Sequence, residues 1–234
     1  MGTTRERDMI LTVGGIKGGS GKTSVATGVA VMLARLGRQV LLVDADEQQT
    51  SMDFSMMREA AGVEPMITTV ALHDTAVRTE VRKMLDRYDD IVIDTGGRDT
   101  TSQRAALTIS DFLLVPFVPG SFDVWTCEKV DKLVGECAAI NEGLHAFSFL
   151  NRADHQGADN SESAEILSEM EHVTFWDDVR LGVRKAFRSA GGKGLAVCEW
   201  KGENRKGDSK AEEEFQVLFD RICGIAIIDR KEVA

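Results

Sequence analysis

Two lysines stand five residues apart in a loop that contains almost no other long side chains. The segment VGGIKGGSGKTS (13–24) places Lys17 and Lys22 among glycines, between the apolar run MILTV and a segment with helical spacing. Glycines let backbone N–H groups approach an anion closely, and a helix that starts directly after them presents its positive end. The segment therefore predicts a phosphate-binding loop, in which Lys22 contacts the phosphates and the Thr23 hydroxyl binds Mg²⁺.

The loop departs from the usual P-loop pattern at one position. That pattern has a glycine five positions before Gly21, where this chain has Ile16. A flexible glycine-rich turn with a solvated lysine would fit the composition, but the order strand, loop, Lys-Thr and helix favours the phosphate loop. The residues that we expect to contact a nucleotide here are Gly18, Gly19, Ser20, Gly21, Lys22, Thr23 and Ser24.

Acidic residues end two of the other apolar runs. Asp94 ends the strand-like part of IVIDTGG, and Asp44 and Asp46 end QVLLVDAD. P-loop enzymes keep at such a strand end the carboxylate that holds Mg²⁺, and we predict this role for Asp94. The side chains of Asp44 and Asp46 would point the same way if the strand continued, one toward the metal and one toward the attacking water. The alternative is that these acids cap helices or lie in solvated loops.

The elements that must position these residues follow from the hydrophobic pattern. Helical spacing relates Val25, Val29, Met32, Leu33 and Leu36, with Gly37 as a stop, and further on Val77, Val81, Met84 and Leu85. Strands are predicted at 9–15, 39–46, 91–97, 111–120 and 146–152. This alternation predicts an α/β fold with a mostly parallel, twisted sheet and helices on both faces. Ligands of such sheets bind beyond the carboxyl ends of the strands, where the loops described above meet.

Chain length, net charge and cysteine pattern narrow the class of protein. We expect a single domain over residues 1–234, without a secretory signal at the N-terminus and without an apolar run of the roughly 20 residues that span a bilayer. The formal net charge of −10 repels nucleic acid and anionic lipid, so binding to either needs a local basic patch. The scattered cysteines predict reduced thiols in a cytosolic protein: Cys127, Cys137, Cys198 and Cys223.

Taken together, KGGSGKTS, LLVDADEQQT and IVIDTGG resemble the ParA/MinD family of deviant Walker A ATPases, most closely its small ParA-type partition and cargo-positioning members. The resemblance covers most of the chain, in order and with familiar spacing. It implies a P-loop NTPase fold and a slow, Mg²⁺-dependent ATPase that binds ATP and ADP. It also implies that Lys17 reaches across a nucleotide-sandwich homodimer to the phosphates held by the partner subunit, whereas Lys22 holds its own nucleotide.

The same resemblance implies roles for further residues. Asp46 matches the switch-I aspartate that orients the hydrolytic water, Asp44 the acid near the metal, and Asp94 the Walker B acid. Many partition members have proline after the switch-I aspartate, where this chain has Glu47. Asn151 stands where relatives often read the adenine edge, although a plain turn asparagine fits equally well.

A basic segment stands out in this acidic chain. DDVRLGVRKAFRSAGGKG (177–194) spaces Arg180, Arg184 and Arg188 four residues apart, with Lys185 beside them. On one helix these arginines would share a face. The segment also resembles the stretch near which partition proteins grip the DNA backbone without reading sequence, so we predict a DNA-binding surface here. The alternative is a solvated helix face paired with nearby acids.

The last helix bears on a membrane alternative, because MinD-type relatives end in a basic amphipathic helix. An apolar stripe is formed here by Phe215, Leu218, Phe219 and Ile222, but the polar face opens with the three acids of 212–214. Acidic residues at the start of such a helix are repelled by an anionic membrane. We therefore predict that this helix packs in the core and makes no stable membrane contact.

These expectations combine into an ATP-dependent switch. ATP would close a homodimer that binds non-specific DNA of the nucleoid, and a ParB-like or other cargo adaptor would stimulate hydrolysis, so that plasmid DNA or another cargo is positioned. The protein would be cytoplasmic, and nucleoid-associated when it holds ATP. The alternatives are a MinD-like ATPase on a membrane and a metabolic enzyme on the same scaffold. A reductase of the latter kind needs cysteines that share an iron–sulfur cluster, a pattern that Cys127 and Cys137 do not show.

Overall fold

One parallel sheet organises the chain in a computed structural model that describes residues 9–120, 124–154, 158–202 and 206–233. Its strands are β1 (Met9–Val13), β2 (Val40–Ala45), β3 (Thr68–Ala71), β4 (Asp90–Thr95), β5 (Phe112–Phe117), β6 (His145–Ala153) and β7 (Val173–Gly182). The helices are α1 (Lys22–Arg35), α2 (Thr50–Ala60), α3 (Ala76–Arg82), α4 (Thr101–Leu107), α5 (Val124–Ala138), α6 (Ala158–Ser168), α7 (Lys185–Gly191) and α8 (Ser209–Val233). The seven strands lie in the order β3-β2-β4-β1-β5-β6-β7. Neighbouring strands pair in parallel, which confirms the predicted fold class.

Both faces of the sheet are buried, which explains why the strands read as continuous apolar runs. Successive strand residues point to opposite faces, so Leu11 and Val13 of β1 join the core under α1 and α8, whereas Ile10 joins the core under α3 and α4. Helices α1 and α8 pack so closely that a Cβ atom on Gly28 would lie 2.5 Å from Cζ of Phe215. A glycine is therefore required at this crossing.

The last helix contributes its apolar stripe to the core. Phe215, Leu218, Phe219 and Ile222 are all buried in the cluster that covers one face of the sheet. The prediction of core packing is confirmed, and these side chains are not presented to a membrane. Among the residues that the structure describes, no helix combines the length and the apolarity that crossing a bilayer requires.

The predicted helix through the basic segment is wrong in its first half. Arg180 lies in β7, Arg184 is the extended residue that precedes α7, and only Arg188 lies within that helix. The three arginines therefore do not share one helical face. The residues of β7 include Val173, Trp176 and Val179, which are buried, and such β-branched and aromatic side chains suit a pleated surface that pairs with β6.

Smaller differences concern helix ends. The predicted helical face that includes Val77 and Val81 stops at Arg82, because Met84 lies outside α3 and Leu85 begins a short 3₁₀ helix, Leu85–Arg87. Helix α1 ends as predicted, with Gly37 just beyond it at a φ of 82°. The four cysteines are free thiols; Cys127 and Cys137 belong to α5 and are buried in the core.

Candidate functional site

The glycine loop joins the buried strand β1 to helix α1. Gly21, the last residue before the helix, has a φ of 90°, which glycine adopts without the penalty that other residues incur. Lys22 is buried, and its Nζ donates a hydrogen bond to the backbone oxygen of Lys17 at 3.0 Å, whereas the Lys17 side chain is exposed. The two lysines therefore differ in placement: one is folded into the loop and the other faces outward.

Burial also affects the pKa of Lys22. Desolvation lowers the pKa of its ammonium below the ordinary value, and the charges of Asp94 and Asp46 oppose this effect. A buried ammonium beside a helix N-terminus is suited to binding a phosphate group.

The acids at the strand ends lie in register. Asp94 of β4 is paired with Val13 of β1 on one side and with Asp44 of β2 on the other, so both carboxyls sit beside the start of the phosphate loop. Both acids are 0% exposed. Oδ2 of Asp94 accepts a hydrogen bond from the Ser51 hydroxyl at 2.8 Å. Its Oδ1 is buried and, within the described part of the chain, has no partner that meets hydrogen-bond geometry.

Burial raises the pKa of Asp94 to about 7. The hydroxyls of Ser51 and Thr23 and the charge of Lys22 oppose this rise, and the neighbouring Asp44 adds to it. Unpaired buried polar atoms are rare in folded proteins. An unpaired carboxylate oxygen next to a threonine hydroxyl fits a hard divalent cation such as Mg²⁺, which binds oxygen ligands.

Asp44 and Asp46 differ more than the sequence pattern predicted. The strand ends at Ala45, so the predicted continuation through Asp46 is wrong and that residue begins a loop. Asp44 accepts hydrogen bonds from the backbone N–H groups of Asp46 (3.2 Å) and Met52 (2.9 Å), while burial raises its pKa. Asp46 is only half-buried, and its Oδ1 accepts from the N–H of Gln48 at 3.2 Å.

The loop after β4 lies directly against the phosphate loop. A Cβ atom on Gly97 would lie 2.6 Å from the backbone nitrogen of Gly18, a distance that real Cβ atoms essentially never show. A Cβ on Gly96 would lie 3.2 Å from Oδ1 of Asp46. These two glycines therefore let the segment after Asp94 touch both the phosphate loop and the loop that carries Asp46.

Asn151 holds the phosphate loop from the other side. It is buried at the end of β6, and its Nδ2 donates to the backbone oxygen of Ser20 at 2.6 Å. Its Oδ1 accepts from the N–H of Arg152 at 2.9 Å. A structural role for this amide is thus visible, and its role in reading adenine stays a prediction.

A groove of about 670 Å³ opens beside the start of α1. Its walls include Thr23, Ser24 and Asn151 on the phosphate side, and three of the residues predicted to bind DNA, Arg184, Lys185 and Arg188. Lys185 and Arg188 are exposed, whereas Arg184 forms an ion pair with Glu214 of α8. Arg180 is exposed outside this groove, at a smaller cavity that it shares with Asp154 and Glu214.

Several residues that support the site carry no local sequence signal. Ser51 contacts Asp94, and Gln103 of α4 accepts hydrogen bonds from Thr95 Oγ1 (3.0 Å) and from Gly15 N–H (3.3 Å). Arg58 of α2, only 1% exposed, forms a bidentate ion pair with Glu199. Apart from the bond between Gln103 and Thr95, which are 8 residues apart, these contacts join residues distant in sequence, so only the folded chain reveals them.

Comparisons with known proteins agree with this fold. The chain is 26% identical over 216 residues to the maintenance of carboxysome distribution protein A of Halothiobacillus neapolitanus, with 91% of this chain and 95% of that protein covered. An McdA variant of Cyanothece in complex with ATP superposes with a TM-score of 0.73 at 15% identity, over 94% of this chain and 97% of the other. The septum site-determining protein MinD of Pyrococcus horikoshii with Mg-ADP gives a TM-score of 0.68 at 18% identity, over 94% and 98%.

The family model for the CobQ/CobB/MinD/ParA nucleotide binding domain matches residues 11–196. That range includes the phosphate loop, both strand-end acids, Asn151 and the basic segment, which are the parts of the chain that meet at one edge of the sheet. The chain therefore belongs to the CobQ/CobB/MinD/ParA family of nucleotide-binding domains.

Proposed function

We propose that this protein is an Mg²⁺-dependent ATP hydrolase that acts as a positioning switch. The observation that carries the proposal is the juxtaposition of buried Lys22, the phosphate loop and a carboxylate oxygen of Asp94 that lacks a hydrogen-bond partner in the described structure. Thr23, Asp44 and Asp94 would hold the metal, which would supply positive charge against the phosphates. Asp46 would orient the attacking water, and its half-buried position beside Gly96 supports this role.

The chemistry is tested with two substitutions. Lys22→Ala should abolish binding of ATP and ADP, because it removes the buried cation of the loop, and isothermal titration measures this directly. Asp46→Ala should retain ATP binding and lose hydrolysis, because only water orientation is affected. Wild-type protein that binds neither nucleotide, or an Asp46→Ala variant with unchanged turnover, would contradict the proposal.

The switch requires an ATP-dependent homodimer, and the placement of Lys17 supports this part. Its ammonium faces outward at the phosphate loop, while its backbone oxygen is used by Lys22. We infer that Lys17 contacts the nucleotide held by a second copy of the chain. Lys17→Ala should then bind ATP as a monomer in light scattering, whereas Lys193→Ala, which removes another exposed lysine, should dimerise normally.

The DNA-binding part rests on the exposed cations Lys185, Arg188 and Arg180. In a chain with a net charge of −10 such binding must be local and steeply dependent on salt. Gel shifts with random-sequence DNA and ATP should show binding that Arg188→Glu abolishes and that Lys83→Glu, at an exposed residue of the C-terminal end of α3, leaves intact. Equal DNA binding by both variants would exclude these cations as the DNA-binding surface.

We further propose that an adaptor protein on the cargo stimulates hydrolysis, in a cytoplasmic protein that associates with the nucleoid when it holds ATP. The relative in Halothiobacillus neapolitanus is named for carboxysome distribution, so a protein cluster is a candidate cargo besides plasmid DNA. Turnover should rise most when DNA and the product of a neighbouring gene are both added. Pelleting with anionic vesicles but not with DNA would instead favour a MinD-like membrane switch.

A further inference from the structure

Arg152 occupies an unusual backbone conformation next to the phosphate loop. Its φ is 53°, and the other non-glycine residues with positive φ in the described ranges are Gln49 and Asp74. A long side chain in this region is disfavoured, whereas glycine, asparagine and aspartate tolerate it. Strain of this kind is retained where the surroundings enforce it, which makes the residue a candidate for function.

The conformation arises from a bulge in β6. Asn151 is paired with Leu181 and Ala153 with Gly182, so three residues of β6 face two of β7 and Arg152 is the extra one. Bulges beside binding sites redirect a side chain, and the left-handed position of a bulge is usually glycine. Here the chain has an arginine, held in place because Asn151 Oδ1 accepts its N–H.

The side chain that the bulge redirects lies at the rim of two cavities. One is the groove that contains Thr23 and Ser24, and the other, of about 280 Å³, is lined by the phosphate loop from Gly15 to Ser20. Arg152 is exposed, and within the described ranges of the chain it forms no side-chain hydrogen bond or ion pair. The smaller cavity has two charged residues in its lining, Lys17 and Arg152, and both are cations.

The strand-end acids and Arg152 lie on opposite sides of the phosphate loop. Asp94 and Asp44 belong to β4 and β2, whereas Arg152 belongs to β6, on the other side of β1 in the sheet. A polyphosphate in the loop would thus have its metal-binding acids on one flank and a free guanidinium on the other. Guanidinium groups bind phosphate oxygens with charge-assisted, often bidentate hydrogen bonds.

We propose that Arg152 is a further nucleotide-binding residue, which contacts the phosphates of the nucleotide held by its own phosphate loop. This inference rests on the proposed nucleotide binding and deepens it. The bulge directs the arginine side chain. Asn151 bonds both to the backbone of Arg152 and to Ser20, so it fixes the arginine relative to the phosphate loop.

The test uses Arg152→Gly in the full-length chain, because glycine removes the cation and relieves the backbone conformation at once. The variant should keep or exceed the wild-type melting temperature, yet bind ADP about tenfold more weakly, the loss expected for one charge-assisted hydrogen bond. Binding of adenosine, which has no phosphate, should not change. Arg152→Lys should retain part of the ADP affinity and none of the gain in stability.

Asp74→Gly is the control for placing glycine at a left-handed position (φ 52°) outside the phosphate loop, and it should leave ADP binding unchanged. Wild-type affinity of Arg152→Gly for ADP, or an equal loss for adenosine, would overturn the inference while leaving the proposed function in place. Lys22→Ala, measured in parallel, separates failure of this inference from failure of the proposed function. Unchanged ADP binding in that variant would overturn the proposed function instead.

Discussion

Two regions of the site carry charge in different ways: the acidic wall, formed by Asp44 and Asp94 beside the start of the phosphate loop, and the basic wall, formed by Lys185 and Arg188 in the groove beside α1. On the acidic wall, Asp44 and Asp94 are fully buried, and all their carboxyl oxygens except Oδ1 of Asp94 accept hydrogen bonds from the Ser51 hydroxyl or from backbone N–H groups. On the basic wall, Lys185 and Arg188 are exposed. Buried charges require defined partners, whereas exposed charges are screened and tolerate many.

This difference limits the kind of ligand that each wall can bind. The acidic wall has fixed oxygens at fixed positions, so it suits one cation of defined radius. The basic wall offers exposed cations with few fixed partners, so it suits a polyanion recognised by charge rather than by sequence. A switch that couples nucleotide state to a polyanion needs both, together with a link between them.

The ion pair between Arg58 of α2 and Glu199 connects the helix that holds the strand-end acids to the segment that follows α7. Arg58 also donates to the backbone oxygens of Pro65 (2.9 Å) and Gly194 (3.0 Å). Arg58→Ala should lower the free energy of unfolding by about 3–5 kcal/mol, because it leaves Glu199 without its partner at a buried site. Urea unfolding measures this loss, which is the largest effect we expect.

The exposed pair of Lys83 and Glu80 is the control for that prediction, because both side chains are largely in solvent. Lys83→Ala should change stability by less than about 1 kcal/mol. Similar losses for Arg58→Ala and Lys83→Ala would show that the two walls are not joined by this ion pair.

In the metal-free chain, the buried charge of Asp94 should destabilise the fold. The pKa of Asp94 is about 7 in the fold, and about 3.9 is usual in an unfolded chain. Between these values the folded state holds a proton that the unfolded state has released, so the free energy of unfolding falls as pH rises from about 4 to 7. Asp94→Asn should therefore stabilise the metal-free chain above pH 7, by up to about 4 kcal/mol.

Urea unfolding in EDTA at pH 5 and pH 8 tests this sign. The difference between Asp94→Asn and the wild type should be small at pH 5 and large at pH 8, and added Mg²⁺ should stabilise only the wild type. If Asp94→Asn stabilised the chain equally at both pH values, Asp94 would not be the group that titrates.

The basic wall is expected to respond more weakly. Glu214 binds Arg184 and accepts the N–H of Gly182 at 2.9 Å, and both charged side chains are about a quarter exposed, at 23% and 24%. Glu214→Gln keeps an acceptor for Gly182 and removes one negative charge from beside the groove. Stability should fall by about 1 kcal/mol, while binding of random-sequence DNA should tighten and depend more steeply on salt.

The smallest effect on stability is expected at Arg188. This exposed side chain has no ion-pair partner in the described ranges, so Arg188→Ala should change the free energy of unfolding by less than about 0.5 kcal/mol. Affinity for DNA should nevertheless drop. A loss of stability comparable to that of Arg58→Ala would mean that the basic wall is built like the acidic one.

Much of the site was predictable because its signals are local. The phosphate loop, the acids at the ends of β2 and β4 and the parallel sheet follow from motifs and periodicity within short windows. The basic segment was misassigned because spacing by four suggested a helix, whereas pairing with β6 decided for a strand through Arg180. Asp46 was predicted to extend β2, but the strand ends at Ala45.

Glycine conformation and hydrophobic alternation act over a few residues, so the class of the fold, the phosphate loop and the strand-end acids follow from local sequence. Only the tertiary structure decided the partners: Ser51 against Asp94, Glu199 against Arg58, and Asn151 against Ser20. It also decided the bulge that directs Arg152. The physical reason is that burial and register arise from contacts between segments far apart in the chain, and no local pattern records which buried groups will meet.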